Sequence, residues 1–142
     1  MADRAIVAVL VIIAVLGASL LIQAFARRRV KQVVGTTLPA ALTERLPGRA
    51  PAIIYFYGAH CADCRQQAVV LEKLAGGQEI AIARVDAAGE SDLADALSVM
   101  TVPSTVVVDI GRRIRAVNLG FRTHDHLLAQ LRGLGDAATS VA

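Results

Sequence analysis

The chain has 142 residues, room for one domain and a small addition, and 55% of them are hydrophobic, above the usual share for a soluble domain. Its net charge of +3 is unevenly spread: Arg4, Arg27, Arg28, Arg29 and Lys31 flank one apolar run, whereas from Gln32 onward ten Lys/Arg face eleven Asp/Glu. That near-neutral remainder, with aromatics at 4%, lacks the basic face and stacking platform of a nucleic-acid-binding protein.

Ala5 to Ala26 holds 22 residues without a charge, polar only at Ser19 and Gln23. At about 1.5 Å per residue this run crosses a bilayer core. Ala24-Phe25-Ala26 has the small-x-small form of a signal-peptide cleavage site, but three arginines would follow the cut directly, which disfavours export. The expectation is therefore an uncleaved single-pass anchor in the cell membrane over residues 1–29. One Lys/Arg precedes the span and four follow it closely. The positive-inside rule then places the C-terminal domain in the cytoplasm, the alternative being the exported face. The basic flank suits the anionic headgroups of a lipid bilayer.

Residues 30–50 read as a connector carrying a short helix that ends near Leu46, broken by Pro47-Gly48. Residues 51–134 read as the folded domain and 135–142 as a flexible tail. Within the domain, Ala52–Tyr57 is an apolar strand that turns at Gly58. A helix from about Cys61 to Leu74 follows, with Val69, Val70, Leu71 and Leu74 near helical spacing and Gly76-Gly77 as its stop. Glu79–Asp86 alternates as a second strand. Ser91 is the expected N-cap of a helix from Asp92 to about Val99. Thr105–Ile110 is a strand with an apolar centre at Val106–Val108, linked through Asp109–Arg112 to the strand Ile114–Asn118. Thr123 is the expected N-cap of a last helix running to Gly133. Strands joined by a helical crossover should be parallel and the last two antiparallel, giving an α/β fold with a central mixed sheet flanked by helices.

The only two cysteines, Cys61 and Cys64, sit two residues apart at the first strand-to-helix junction. Thiol–disulfide exchange uses this arrangement. The first thiol lies at a helix N-terminus, where unpaired N–H groups and the dipole favour its thiolate. The second, one turn on, can resolve a mixed disulfide. With no further cysteine there is no structural disulfide, consistent with a reducing compartment. Asp63 places a negative charge beside both thiols, which disfavours the thiolate and makes the couple more reducing. A protonated His60 would act in the opposite sense.

The C-x-x-C after the first core strand, Val102-Pro103-Ser104 before the next central strand, and a closing hairpin and helix with Gly120 together resemble the thioredoxin superfamily, here in a membrane-anchored form, over about Ala50 to Leu134. The resemblance implies a thioredoxin-like fold preceded by one transmembrane helix. It also implies catalytic Cys61 and Cys64, and a cis Pro103 facing the disulfide. Val102 would then offer its backbone to an extended substrate strand. It implies protein disulfide substrates, no bound cofactor, and re-reduction by a reductase or a membrane electron donor. Three positions depart from the family. His60 stands where a Trp is usual, and Ala62-Asp63 replaces Gly-Pro. Tyr55 takes the place of a buried acid that helps deprotonate the second thiol. Two other readings use the same residues: a Cu(I) metallochaperone binding through Cys61 and Cys64, and a redox-inactive docking domain. A structural metal site is not expected, because only half of a four-ligand set is present. His124 and His126 read as surface residues.

Overall fold

Alternation along the first strand sorts the core into two layers. In the computed structural model, which describes the backbone of residues 2–139 and the side chains of residues 3–135, β1 (Ala52–Tyr57) is buried over its first five positions. Ala52, Ile54 and Phe56 enter one apolar cluster, and Ile53 and Tyr55 enter the other. This is the period-two consequence of a strand covered on both faces. β1 pairs in parallel with β2 (Ala81–Asp86), Ile53 opposite Ile82. On its other side it runs antiparallel to β3 (Ser104–Val108), Ile54 opposite Val106. β3 and β4 (Ile114–Leu119) form an antiparallel pair, and the sheet order is β2-β1-β3-β4.

Five helices complete the described chain: α1 (Ala2–Val33), α2 (Ala40–Thr43), α3 (Ala62–Gly77), α4 (Ser91–Ala96) and α5 (His124–Thr139). Leu71 and Leu74 of α3 and Leu127 and Leu131 of α5 cover one face of the sheet with Val107. Leu42 of α2 and Ala94 of α4 cover the other, with Leu46, Leu97, Val106 and Val108. The sheet is therefore mixed and flanked on both faces, as the element order predicts.

Several boundaries move. α1 runs to Val33, because nothing in Arg27–Val33 breaks a helix, so it takes in the first residues of the expected connector. α3 continues through Gly76 and Gly77 to a cap at Gln78. Ser91 is the first helical residue of α4 instead of its cap. Glu90 holds the cap position without a side-chain cap bond. α4 also stops at Ala96, where Leu97 turns into the core and Ser98 takes φ 56°. At the last helix Thr123 does cap, its Oγ1 accepting the His126 N–H at 3.4 Å. That helix extends to Thr139, so 136–139 are helical where a tail is expected, and 140–142 lie outside the described residues.

α1 holds an 18-residue window of mean hydropathy 3.1, none of it buried against the domain. It is long and apolar enough to cross a membrane. Further along, Ala26, Val30 and Val33 are the half-buried positions. Their i, i+4, i+7 spacing makes one stripe toward the domain, and Val33 packs on the core.

Candidate functional site

Cys61 is the N-cap of α3, with extended backbone (φ −114°, ψ 107°), and its Sγ accepts the Cys64 N–H at 3.1 Å. A sulfur can replace the usual cap oxygen here because the first helical N–H groups have no partner within the helix. Cys61 and Cys64 are joined as a disulfide, Cα atoms 5.2 Å apart. The two sulfurs differ in access. Cys61 is half-buried, whereas Cys64 is 4% exposed and packs with Ile53, Tyr55 and Leu71. The nucleophile and the resolving thiol expected from the spacing thus occupy an open and a closed position.

The Val102–Pro103 peptide bond is cis, as the resemblance implies, and Pro103 is buried. Ser104 braces the loop from below, its Oγ donating to the Thr101 carbonyl at 2.6 Å. Gly58 connects the loop to the disulfide. A Cβ there would lie 3.2 Å from Val102 Cγ2 and 4.0 Å from Cys61 Cβ. Val102 therefore stands beside Cys61, with only a glycine's width between. Among the described residues, its backbone N–H and C=O have no hydrogen-bond partner. A shallow groove beside it is lined by Ala87, Asp95, Met100 and Thr101.

His60 and Asp63 are both exposed, Asp63 in the first turn of α3, so its carboxylate sits near the positive end of the helix dipole. His124 hydrogen-bonds Asp125 and His126 faces Gln130, both within α5. Among the described residues, no three His, Cys, Asp or Glu side chains gather as a metal-binding group.

Tyr55, at the position of the family's buried acid, is 1% exposed. Its hydroxyl donates to the Cys64 carbonyl at 2.6 Å. Burial pushes the phenol above its ordinary value, and the neighbouring Arg84 only partly offsets this. The group therefore stays a protonated donor and holds the main chain of the resolving cysteine.

Sequence reasoning missed Gln67. It is fully buried, and its amide clamps the loop before α5 from both sides: Nε2 donates to the Arg122 carbonyl at 3.1 Å, and Oε1 accepts the Arg122 N–H at 2.7 Å. A signal was present. Gln67 shares the i, i+4, i+7 stripe of Leu71 and Leu74, where a polar residue needs a partner to be buried.

The thioredoxin family model matches residues 32–133. The chain is similar to the thioredoxin of Alicyclobacillus acidocaldarius subsp. acidocaldarius, at 24% identity over 98 residues, covering 68% of this chain and 92% of that one. Among solved structures it is similar to a point mutant of the thioredoxin from Halobacterium salinarum NRC-1, with TM-score 0.61 and 22% identity over 69% of this chain and 87% of that one. It is also similar to desulfothioredoxin from Desulfovibrio vulgaris Hildenborough in its reduced form, with TM-score 0.53 and 26% identity over 59% and 81%. The apolar length of α1 precedes the matched region.

Proposed function

Because the chain belongs to the thioredoxin family, we propose that it is a membrane-tethered thiol–disulfide oxidoreductase working as a disulfide reductase. The observation that carries this reading is the unequal pair: a half-buried Cys61 whose sulfur caps a helix, and a Cys64 that is 4% exposed behind it. In the reduced protein the Cys61 thiolate attacks one sulfur of a substrate disulfide. A Cys61–substrate bond forms, the substrate S–S bond breaks, and one substrate thiolate leaves. Cys64, after losing its proton, attacks the Cys61 sulfur, expels the second substrate thiolate and leaves the Cys61–Cys64 disulfide. Two electrons have passed to the substrate, and a reductase or membrane electron donor must return them.

Substrate recognition falls to the Val102 loop. Its unpaired N–H and C=O suit an extended peptide added as a strand, lying along the groove toward Met100. Asp63 sets the direction of the couple. Its charge works against the helix dipole at Cys61, weakening the thiolate that would otherwise stabilise the dithiol. A less stable dithiol is the stronger reductant, so the potential belongs nearer the thioredoxin range of about −270 mV than the strong oxidants at about −120 mV. The membrane tether rests on α1, and the charge bias across it favours a cytoplasmic domain.

The test is a pair of variants with a redox titration. Cys64→Ser should accumulate a covalent substrate adduct on Cys61, and Cys61→Ser should give none and no turnover of a protein disulfide. Equal adducts from both variants would reverse or abolish the assigned roles. Equilibration with glutathione at the poise of the strong oxidants would exclude the reductase direction.

A further inference from the structure

Between the C-terminal turns of α1 and β4 runs a groove whose charged lining is wholly cationic. Arg27 and Lys31 come from the helix, Arg122 comes from the loop after β4, and the rest of the lining is uncharged, with Val30 and Val117 among it. Arg27 and Lys31 are four residues apart and share one helical face, where like charges repel. Bringing in a third cation from a distant part of the chain adds to that repulsion unless an anion lies between them.

Arg122 carries a second sign of a missing partner. Its Nε is buried without a hydrogen-bond acceptor, the only such side-chain atom among the described residues, whereas buried donors are nearly always paired. The residue is also held in place. Gln67 fixes its backbone from both sides, and its Nη1 donates to the Phe121 carbonyl at 3.0 Å. A guanidinium is a planar donor suited to pairing with phosphate oxygens, and here the backbone that carries it is fixed.

We propose that this groove binds the phosphodiester headgroup of an anionic phospholipid, an inference that rests on reading α1 as a membrane anchor. On that reading the apolar run ends at Ala26 and Arg27 stands at headgroup level. The headgroup then bridges the anchor to the 120–123 loop, and through Gln67 to α3, the helix that Cys61 caps and that carries Cys64. The lipid thereby fixes how the redox site stands on the membrane.

The full chain in non-ionic detergent can be titrated with phosphatidylglycerol, with phosphatidylcholine and with inorganic phosphate, bound species being read by native mass spectrometry. Phosphatidylglycerol should bind most tightly. Arg122→Gln and Arg27→Gln should each weaken it about fivefold, the contribution of one basic group near an anionic surface. Arg28→Gln removes the same charge from the same helix outside the groove and should change it less than twofold. Because Arg27 lies on α1, outside the domain core, its loss cannot be ascribed to misfolding of the 120–123 loop. Equal losses from Arg28→Gln and Arg122→Gln would reduce the effect to diffuse surface charge and overturn the site. Binding of inorganic phosphate alone with the same Arg122 dependence, and no gain from acyl chains, would overturn the lipid as occupant. Alkaline extraction from phosphatidylcholine vesicles separates the two readings. A chain that is extracted loses its anchor and the proposal with it, whereas a retained chain whose lipid affinity ignores Arg122 and Arg27 loses only the groove.

Discussion

Tyr55 shows how one residue can change the way the second thiol is served. A buried carboxylate can take a proton from a neighbouring thiol, but a phenol kept neutral by burial cannot. The Tyr55 hydroxyl instead donates to the Cys64 carbonyl, making it a positioning residue for the first turn of α3. Tyr55→Phe should therefore lower stability by about 1 kcal/mol, the net worth of one such bond, in a denaturant titration. The pH profile of mixed-disulfide resolution should stay where it is. A displaced profile would make the phenol a proton-transfer partner and overturn the positioning role.

At the scale of elements, the β3–β4 turn carries the most electrostatic structure. Asp109 accepts the Arg113 N–H at 2.9 Å and pairs with Arg115 at 2.7 Å. Burial alone would raise its carboxyl, but the Arg113 backbone, Arg115 and the Gly111 backbone outweigh this and hold it below its ordinary value. A depressed folded-state pKa contributes stability above the unfolded value and loses it as pH falls through the folded one. Asp109→Asn should thus melt lower than the wild type at neutral pH, and the gap should narrow as melts are repeated toward pH 3. A gap independent of pH would show that the turn depends on side-chain shape and not on charge. The turn was legible as Asp109–Arg112, and so were the order of strands, the two cysteines and the Val102-Pro103 loop, because each leaves a local mark: alternation, a rare residue, a breaker. What was not legible depends on distant partners. Nothing near Gln67 in sequence names Arg122, and nothing near Arg112 foretells that its guanidinium would reach the Gly48 and Ala50 carbonyls at 2.6 and 3.2 Å. The helix ends moved for a similar reason. Gly76 and Gly77 stay helical within the element that packs Leu71 and Leu74 on the sheet, and tertiary packing readily exceeds the roughly 1 kcal/mol that a glycine costs a helix.

For the whole molecule, the relation between α1 and the domain decides what the cysteine pair can meet. α1 does not end in a loose tether. Val33 packs on the core, the Arg29 carbonyl accepts from Ser98 Oγ at 3.4 Å, and the Gly35 N–H reaches the Ile114 carbonyl at 2.7 Å. The domain therefore begins within a turn of the basic flank, and if α1 spans a bilayer as proposed, the domain stands close to it on whichever side it lies. Four cations follow the apolar run and one precedes it, and moving such a cluster across a membrane during insertion is disfavoured. A membrane-impermeant maleimide applied to intact cells after reduction should leave the chain unlabelled, and permeabilisation should expose it. Because Cys61 and Cys64 are the only cysteines of this sequence, any label on the purified chain reports on this pair, and Cys61, the more open of the two, should react first. Labelling in intact cells would put the site on the exported face. The reductant would then have to be a membrane electron carrier, and the four cations after the span would owe their place to headgroup binding instead of topology. Protection until permeabilisation would keep the pair within reach of a soluble reductase, an electron source suited to the proposed reductase direction.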